Sequence, residues 1–136
     1  MAKKTGATIV FGPNADPMYD IHKGKDGEKF KIGDLSLELL HTPGHTMESS
    51  SYLLIDEKGN KPYVFTGDCL FIGDVGRPDL AVKSDLTQAD LAGHLFDSLR
   101  NKIMTLPCTS SMIWNVTMNK ITVMLTNPTQ VAIGFS

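Results

Sequence analysis

Two short segments of the chain carry the residue types that could do chemistry. The first is His41-Thr42-Pro43-Gly44-His45-Thr46, and the second is Thr66-Gly67-Asp68. A neutral imidazole and a carboxylate form an ordinary donor set for zinc, iron or manganese. Two imidazoles and one carboxylate with open positions make the facial arrangement of oxygen-activating non-heme iron. Taken singly, each segment has a plainer reading. A histidine after a strand is commonly a satisfied surface or core residue, and Thr-Gly-Asp is a common turn. Metal sites need convergent ligands and both segments end strands, so the pair points to a metal more strongly than either alone. On the residues alone both readings stay open.

The elements around them fit that placement. Residues 35–40 (LSLELL) alternate Leu with Ser and Glu, the pattern of a half-buried strand that delivers the chain to His41. Residues 62–65 (PYVF) form a strand that delivers it to Thr66. Pro43 and Gly44 permit a tight turn that aims His45 over the sheet edge, and Gly67 permits close backbone approach before Asp68. Further strands are expected over residues 7–11 (ATIVF) and 51–55, with looser alternation over 28–32 and a hairpin turn at Gly33-Asp34. Residues 69–72 are another short apolar run, and 73–83 are a loop rich in Gly, Pro and Asp. A helix is expected from near Ser84 to about Ile103. Thr87 is its N-cap, Asp90 stands three residues on, and Leu91, Leu95 and Leu99 follow at i, i+4, i+8.

Beyond Pro107 the character changes. From Ser98 to Ser136 there is no Asp or Glu, and four of the seven Met (Met104, Met112, Met118, Met124) fall there. Strands remain possible in this stretch, for example over 120–125. The sequence shows no repeats and no linker. The reading is one α/β domain over 1–107 and a divergent tail over 108–136.

The formal net charge of -2 argues against nucleic acid or an anionic membrane as partner, since both call for a basic patch. No stretch approaches the ~20 apolar residues of a membrane span. Residues 1–5 start basic without an apolar run behind them, so no signal peptide is expected. Cys69 and Cys108 make no disulfide framework, and the cytoplasm is the expected compartment. Cys69 continues an apolar run and reads as a small buried thiol. His22 and His94 read as solvated, and Trp114 has no motif around it.

The motifs HTPGHT (41–46), VFTGD (64–68) and Gly76-Arg77 occur in an order and spacing that resemble the metallo-β-lactamase fold superfamily, over about residues 6–107. ESSSY (48–52) and FIGDVGRPDL (71–80) are similar to its persulfide dioxygenase branch. The glyoxalase II branch shares TPGHT and TGD but continues differently after each. The resemblance implies a partial αββα sandwich, with His45 and Asp68 as metal ligands and no catalytic residue beyond them. In the dioxygenase branch they would hold Fe(II), with a thiol persulfide such as glutathione persulfide as substrate and sulfite plus thiol as products. In the glyoxalase II branch the metal would be zinc and the reaction thioester hydrolysis. Arg77 would order the site loop or meet an anionic substrate, or else pair with Asp74 or Asp79. Thr46 and Thr66 would orient the neighbouring ligands by hydrogen bonds, while His41 packs or hydrogen-bonds.

Two of the superfamily's elements have no counterpart here. There is no His-x-His-x-Asp-His run, since the first histidine is His22. No histidine follows His94, and the expected late-His segment reads Leu106-Pro107-Cys108-Thr109. The expectation is an incomplete metal site in a fragment, inactive alone and prone to self-association through an uncovered strand edge. A non-catalytic remnant is the competing reading.

Overall fold

The computed structural model describes residues 2–79, 85–108, 110–113, 121–126 and 130–135. Ser84, Trp114 and Met118 lie outside them. The chain opens with a helical turn, α1 (Ala2–Thr5). The strands β1 (Thr8–Phe11), β2 (His22–Lys23), β3 (Lys29–Ile32), β4 (Leu35–His41), β5 (Ser50–Ile55) and β6 (Tyr63–Phe65) follow. A 3₁₀ turn at Gly67–Cys69 leads into a small hairpin, β7 (Leu70–Phe71) and β8 (Asp74–Val75). Helix α2 (Gln88–Ser98) runs on into a π-helical turn, Leu99–Ile103, and strands β9 (Ser111–Ile113), β10 (Ile121–Thr126) and β11 (Gln130–Phe135) complete the elements. One sheet has the order β11-β10-β1-β2 and the other β3-β4-β5-β6-β9. Most neighbours are antiparallel; β9 lies parallel to β6, and β2 parallel to β1.

The sequence pattern explains why the larger sheet is covered on both faces. Successive strand residues point to opposite sides. On one side Leu37 and Leu39 of β4 and Tyr52 of β5 meet Val10 of the other sheet, with Phe30, Leu54 and Phe65 against them. On the other side Leu53, Ile55 and Val64 meet Ile103, joined by Leu40, Leu70 and Leu99. The unbroken apolar run Tyr52-Leu53-Leu54-Ile55 is therefore a strand buried on both faces, which need not alternate. The described residues supply three layers (sheet, sheet and helix) of the expected four-layer sandwich. This is a mixed α/β fold, as the sequence implies.

Helix α2 begins where its cap dictates. The Thr87 hydroxyl accepts from the Asp90 amide at 3.2 Å, and the Thr87 amide donates to Asp90 Oδ2 at 2.9 Å, which closes a capping box. Leu91 and Leu95 are buried on the sheet side. Ser98, also buried on that side, donates its hydroxyl to the Pro43 carbonyl at 2.8 Å. That bond ties the helix to the loop bearing His45.

Candidate metal centre

The loop after β4 is shaped by its own backbone. The Thr42 amide donates to the Ser49 carbonyl at 3.0 Å, and the Gly44 amide to the Thr46 carbonyl at 3.0 Å. Gly44 stands at φ +141°, and a Cβ there would overlap the backbone of Leu95. Only glycine lets the turn press this closely on α2. The loop is thus held between the sheet edge and the helix, and His45 extends from it.

Asp68 sits in the 3₁₀ turn after β6, closed by the Cys69 amide donating to the Thr66 carbonyl at 3.1 Å. A buried serine connects this turn to the first loop. Ser51 is fully buried; its hydroxyl lies 3.0 Å from the Thr42 hydroxyl and 3.3 Å from the Thr66 carbonyl. Sequence reasoning took Ser51 as ordinary strand. The available signal was a hydroxyl residue leading a strand that is otherwise apolar.

The two loops bring His45 Nε2 to 3.8 Å from Asp68 Oδ2, with the side chains about a fifth exposed. The other ring nitrogen, Nδ1, lies 3.0 Å from the Arg77 carbonyl. A carbonyl can only accept, so Nδ1 carries the proton and donates. In the neutral ring this leaves a lone pair on Nε2. That lone pair and the Asp68 carboxylate are both acceptors, and they stand too far apart for a direct hydrogen bond. A cation between them satisfies both. Two ligands each about 2.1 Å from a tetrahedral metal stand roughly 3.4 Å apart, close to the observed gap. A histidine whose second nitrogen donates to a carbonyl is the usual partner arrangement of a metal ligand. The donor types and their spacing therefore fit a metal ion. The number of donors does not complete one: among the described residues no group of three or more His, Cys, Asp or Glu could hold a metal.

The remaining candidates fall elsewhere. His41 Nε2 is 2.9 Å from the Met47 carbonyl, so it hydrogen-bonds as expected. His22 was expected to be solvated; it is exposed but paired with Glu28 at 2.7 Å. His94 is half-buried on α2. Arg77 forms a two-pronged pair with Asp79, Nε to Oδ1 at 3.1 Å and NH2 to Oδ2 at 2.6 Å. That pairing holds the Arg77 guanidinium pKa up and the exposed Asp79 carboxyl below the usual carboxylate range. The main chain of Arg77, not its side chain, meets His45. Thr46 and Thr66 use their hydroxyls within their own loops. The Thr46 hydroxyl lies 3.1 Å from the Ser49 hydroxyl, and Thr66 donates to the Leu70 carbonyl at 2.8 Å. The Thr66 hydroxyl braces loop backbone and the Thr46 hydroxyl meets another side chain; neither is bonded to His45 or Asp68. Cys69 is buried, and burial pushes its thiol up to about 11 against a smaller opposing pull from a hydrogen bond with Thr42. It is the small buried thiol that the sequence suggests.

No protein-family model matches the chain. It is 40% identical over 85 residues to an uncharacterised protein of Mycobacterium tuberculosis, covering 62% of this chain and 37% of that one. It is 39% identical over 84 residues to the probable hydroxyacylglutathione hydrolase of Schizosaccharomyces pombe, covering 61% and 31%. It is 35% identical over 102 residues to the mitochondrial persulfide dioxygenase ETHE1 of Mus musculus, covering 75% and 35%. The chain thus spans about a third of the length of these curated relatives. Among solved structures, a metallo-β-lactamase of Staphylococcus aureus superposes with a TM-score of 0.70 at 32% identity, covering 83% of this chain and 36% of that one. ETHE1 of Myxococcus xanthus gives 0.65 at 30%, covering 92% and 49%. The structural neighbours of the chain are metallo-β-lactamase fold proteins, matched in part, and its relatives include both a persulfide dioxygenase and glutathione thioester hydrolases. No helix among the described residues is long and apolar enough to cross a membrane.

Proposed function

We propose that this chain, which shares part of the metallo-β-lactamase fold, uses His45 and Asp68 as two ligands of a metal centre serving persulfide oxidation. The observation that carries the reading is the Nε2 lone pair facing the Asp68 carboxylate across 3.8 Å, with Nδ1 fixed on the Arg77 carbonyl. The metal in this reading is Fe(II), and the substrate is a small thiol persulfide such as glutathione persulfide. The balanced reaction is RSSH + O2 + H2O giving RSH, sulfite and two protons. A metal held by His45 and Asp68 would supply the redox chemistry that joins persulfide sulfur to dioxygen. The chain's own residues hold that metal and keep one histidine nitrogen unprotonated toward it. Arg77 contributes through its main chain, since its side chain is engaged by Asp79. The segments 48–52 and 71–80 resemble the persulfide dioxygenase branch, and a persulfide dioxygenase stands among the relatives beside the hydrolases. Zinc-dependent hydrolysis of a glutathione thioester is the second reading, favoured by the hydrolases among the relatives. The two free thiols, Cys69 and Cys108, suit the reducing cytoplasm.

Two donors leave at least half of a zinc shell and most of an iron shell unfilled, so this chain binds metal weakly and turns over little. Anaerobic titration with Fe(II), and separately with Zn(II), should show weak binding that disappears in His45→Ala and Asp68→Asn. Sulfite release from glutathione persulfide against thiol release from a glutathione thioester distinguishes the two reactions. Metal bound one-to-one and retained through desalting would refute the two-ligand site, and binding unchanged in both variants would refute these ligands.

A further inference from the structure

The segment 70–77 packs against both members of the pair through a residue that has no side chain. A Cβ on Gly76 would overlap the Asp68 carbonyl oxygen and lie 2.9 Å from His45 Cβ. The Gly76 amide donates to the Cys69 carbonyl at 3.3 Å, which docks the segment on the turn that carries Asp68. The next residue, Arg77, presents the carbonyl that receives His45 Nδ1. Gly76 is not among the glycines at positive φ, so its backbone conformation is open to other residues. Glycine is needed here for close approach alone. We propose that Gly76 is a positioning residue. By seating the main chain between His45 and Asp68 it sets their spacing, and through the Arg77 carbonyl it holds His45 in the tautomer with Nδ1 protonated and Nε2 open toward Asp68. Alanine at this position must push the segment off one neighbour, and the Arg77 carbonyl moves with it. The tautomer claim stands on geometry alone; the consequence for metal affinity rests on the metal-centre reading above.

The test uses metal-free, ¹⁵N-histidine-labelled protein at about pH 8, above the ordinary histidine range, with His45 assigned by a His45→Gln variant. Two-bond proton–nitrogen correlations report which ring nitrogen carries the proton. The wild type should show His45 protonated at Nδ1, and Gly76→Ala should shift it toward a mixture with the Nε2 form. Gly93→Ala, whose added Cβ meets nothing within 4 Å, should leave it unchanged. Gly73→Ala strains the turn of the same hairpin at φ +71° in open space. It should cause a smaller shift, and it serves if Gly76→Ala does not fold. Cobalt(II) titration should then show Gly76→Ala binding roughly 10- to 100-fold more weakly, the usual effect of losing the partner of a histidine ligand. A wild-type His45 protonated at Nε2 overturns the proposal, as does a tautomer ratio that stays at the wild-type value in the folded hairpin variants. Absence of cobalt binding in the wild type would instead refute the metal-centre reading, with the tautomer result still deciding the role of Gly76.

Discussion

Substituting Gly44 by alanine isolates the contact that holds the His45 loop against helix α2. The added Cβ would overlap Leu95 Cα, Cβ and amide nitrogen. Two of these are backbone atoms of a helix, so no flexible side chain can swing aside. The φ of +141° adds conformational strain of about 1–3 kcal/mol for a residue with a Cβ. Relief by moving the loop stretches the bond from Ser98 to the Pro43 carbonyl, which contributes about 1 kcal/mol. It also loosens the packing around Leu91 and Leu95, both nearly inaccessible to solvent. Together these give about 3–5 kcal/mol, in the range that marks a severe substitution. With a urea slope near 2 kcal/mol/M the midpoint should fall by roughly 1.5–2.5 M. Gly93 is the matched comparison on the same helix, where a Cβ meets nothing within 4 Å. Gly93→Ala should raise stability by up to about 1 kcal/mol, the helix-propensity difference. Two chemically identical substitutions therefore have opposite predicted signs. Paired urea melts followed by far-UV circular dichroism read both. A Gly44→Ala protein within about 1 kcal/mol of wild type would show that the loop does not press on the helix, and the positioning of His45 by α2 would have to be abandoned.

Two further outcomes follow from other parts of the molecule. The Asp26 carboxylate accepts from Lys102 Nζ at 2.6 Å and from the His41 amide at 2.7 Å. Burial pushes its pKa up, but the Lys102 hydrogen bond, the His41 amide and the Lys102 charge outweigh that and hold it below the usual carboxylate value of 3.8. A depressed folded-state pKa stabilises above the unfolded value, and the contribution disappears as pH falls through the folded one. Asp26 is half exposed, so Asp26→Asn should lower stability by only about 1 kcal/mol at neutral pH. The difference should shrink as pH falls below the usual carboxylate value of 3.8; equal losses in urea melts at neutral and at acid pH would contradict the ion-pair account. Of the two thiols, Cys108 is exposed and Cys69 is buried with its thiol pushed up to about 11. Alkylation of the native protein near neutral pH, read by mass spectrometry, should modify Cys108 alone, with Cys69 reacting only after unfolding; comparable native rates would mean that Cys69 is not packed as described.

What could be read from the chain beforehand, and what could not, divides along a physical line. His45 and Asp68 stand out as candidates mainly through the resemblance of their surrounding motifs to a known family, and less because each follows a strand. The helix was legible from its capping box and Leu spacing, which are interactions within a few residues. The spacing of the pair was not legible. It goes with Ser51 joining Thr42 to Thr66 and with Gly76 packing against both His45 and Asp68, and no residue-to-residue periodicity encodes either contact. The His45–Arg77 hydrogen bond spans 32 residues of sequence. Arg77 shows the difference most clearly. Its side chain is open in the sequence to an anionic substrate or to an ion pair with Asp74 or Asp79; the pair with Asp79 forms, and the atom that reaches His45 is a carbonyl oxygen common to every residue. Side-chain identity at position 77 therefore bears on the local ion pair, whereas the absence of a side chain at position 76 bears on the approach to His45 and Asp68. Close approach leaves no mark in sequence except a glycine, and most glycines mark turns instead.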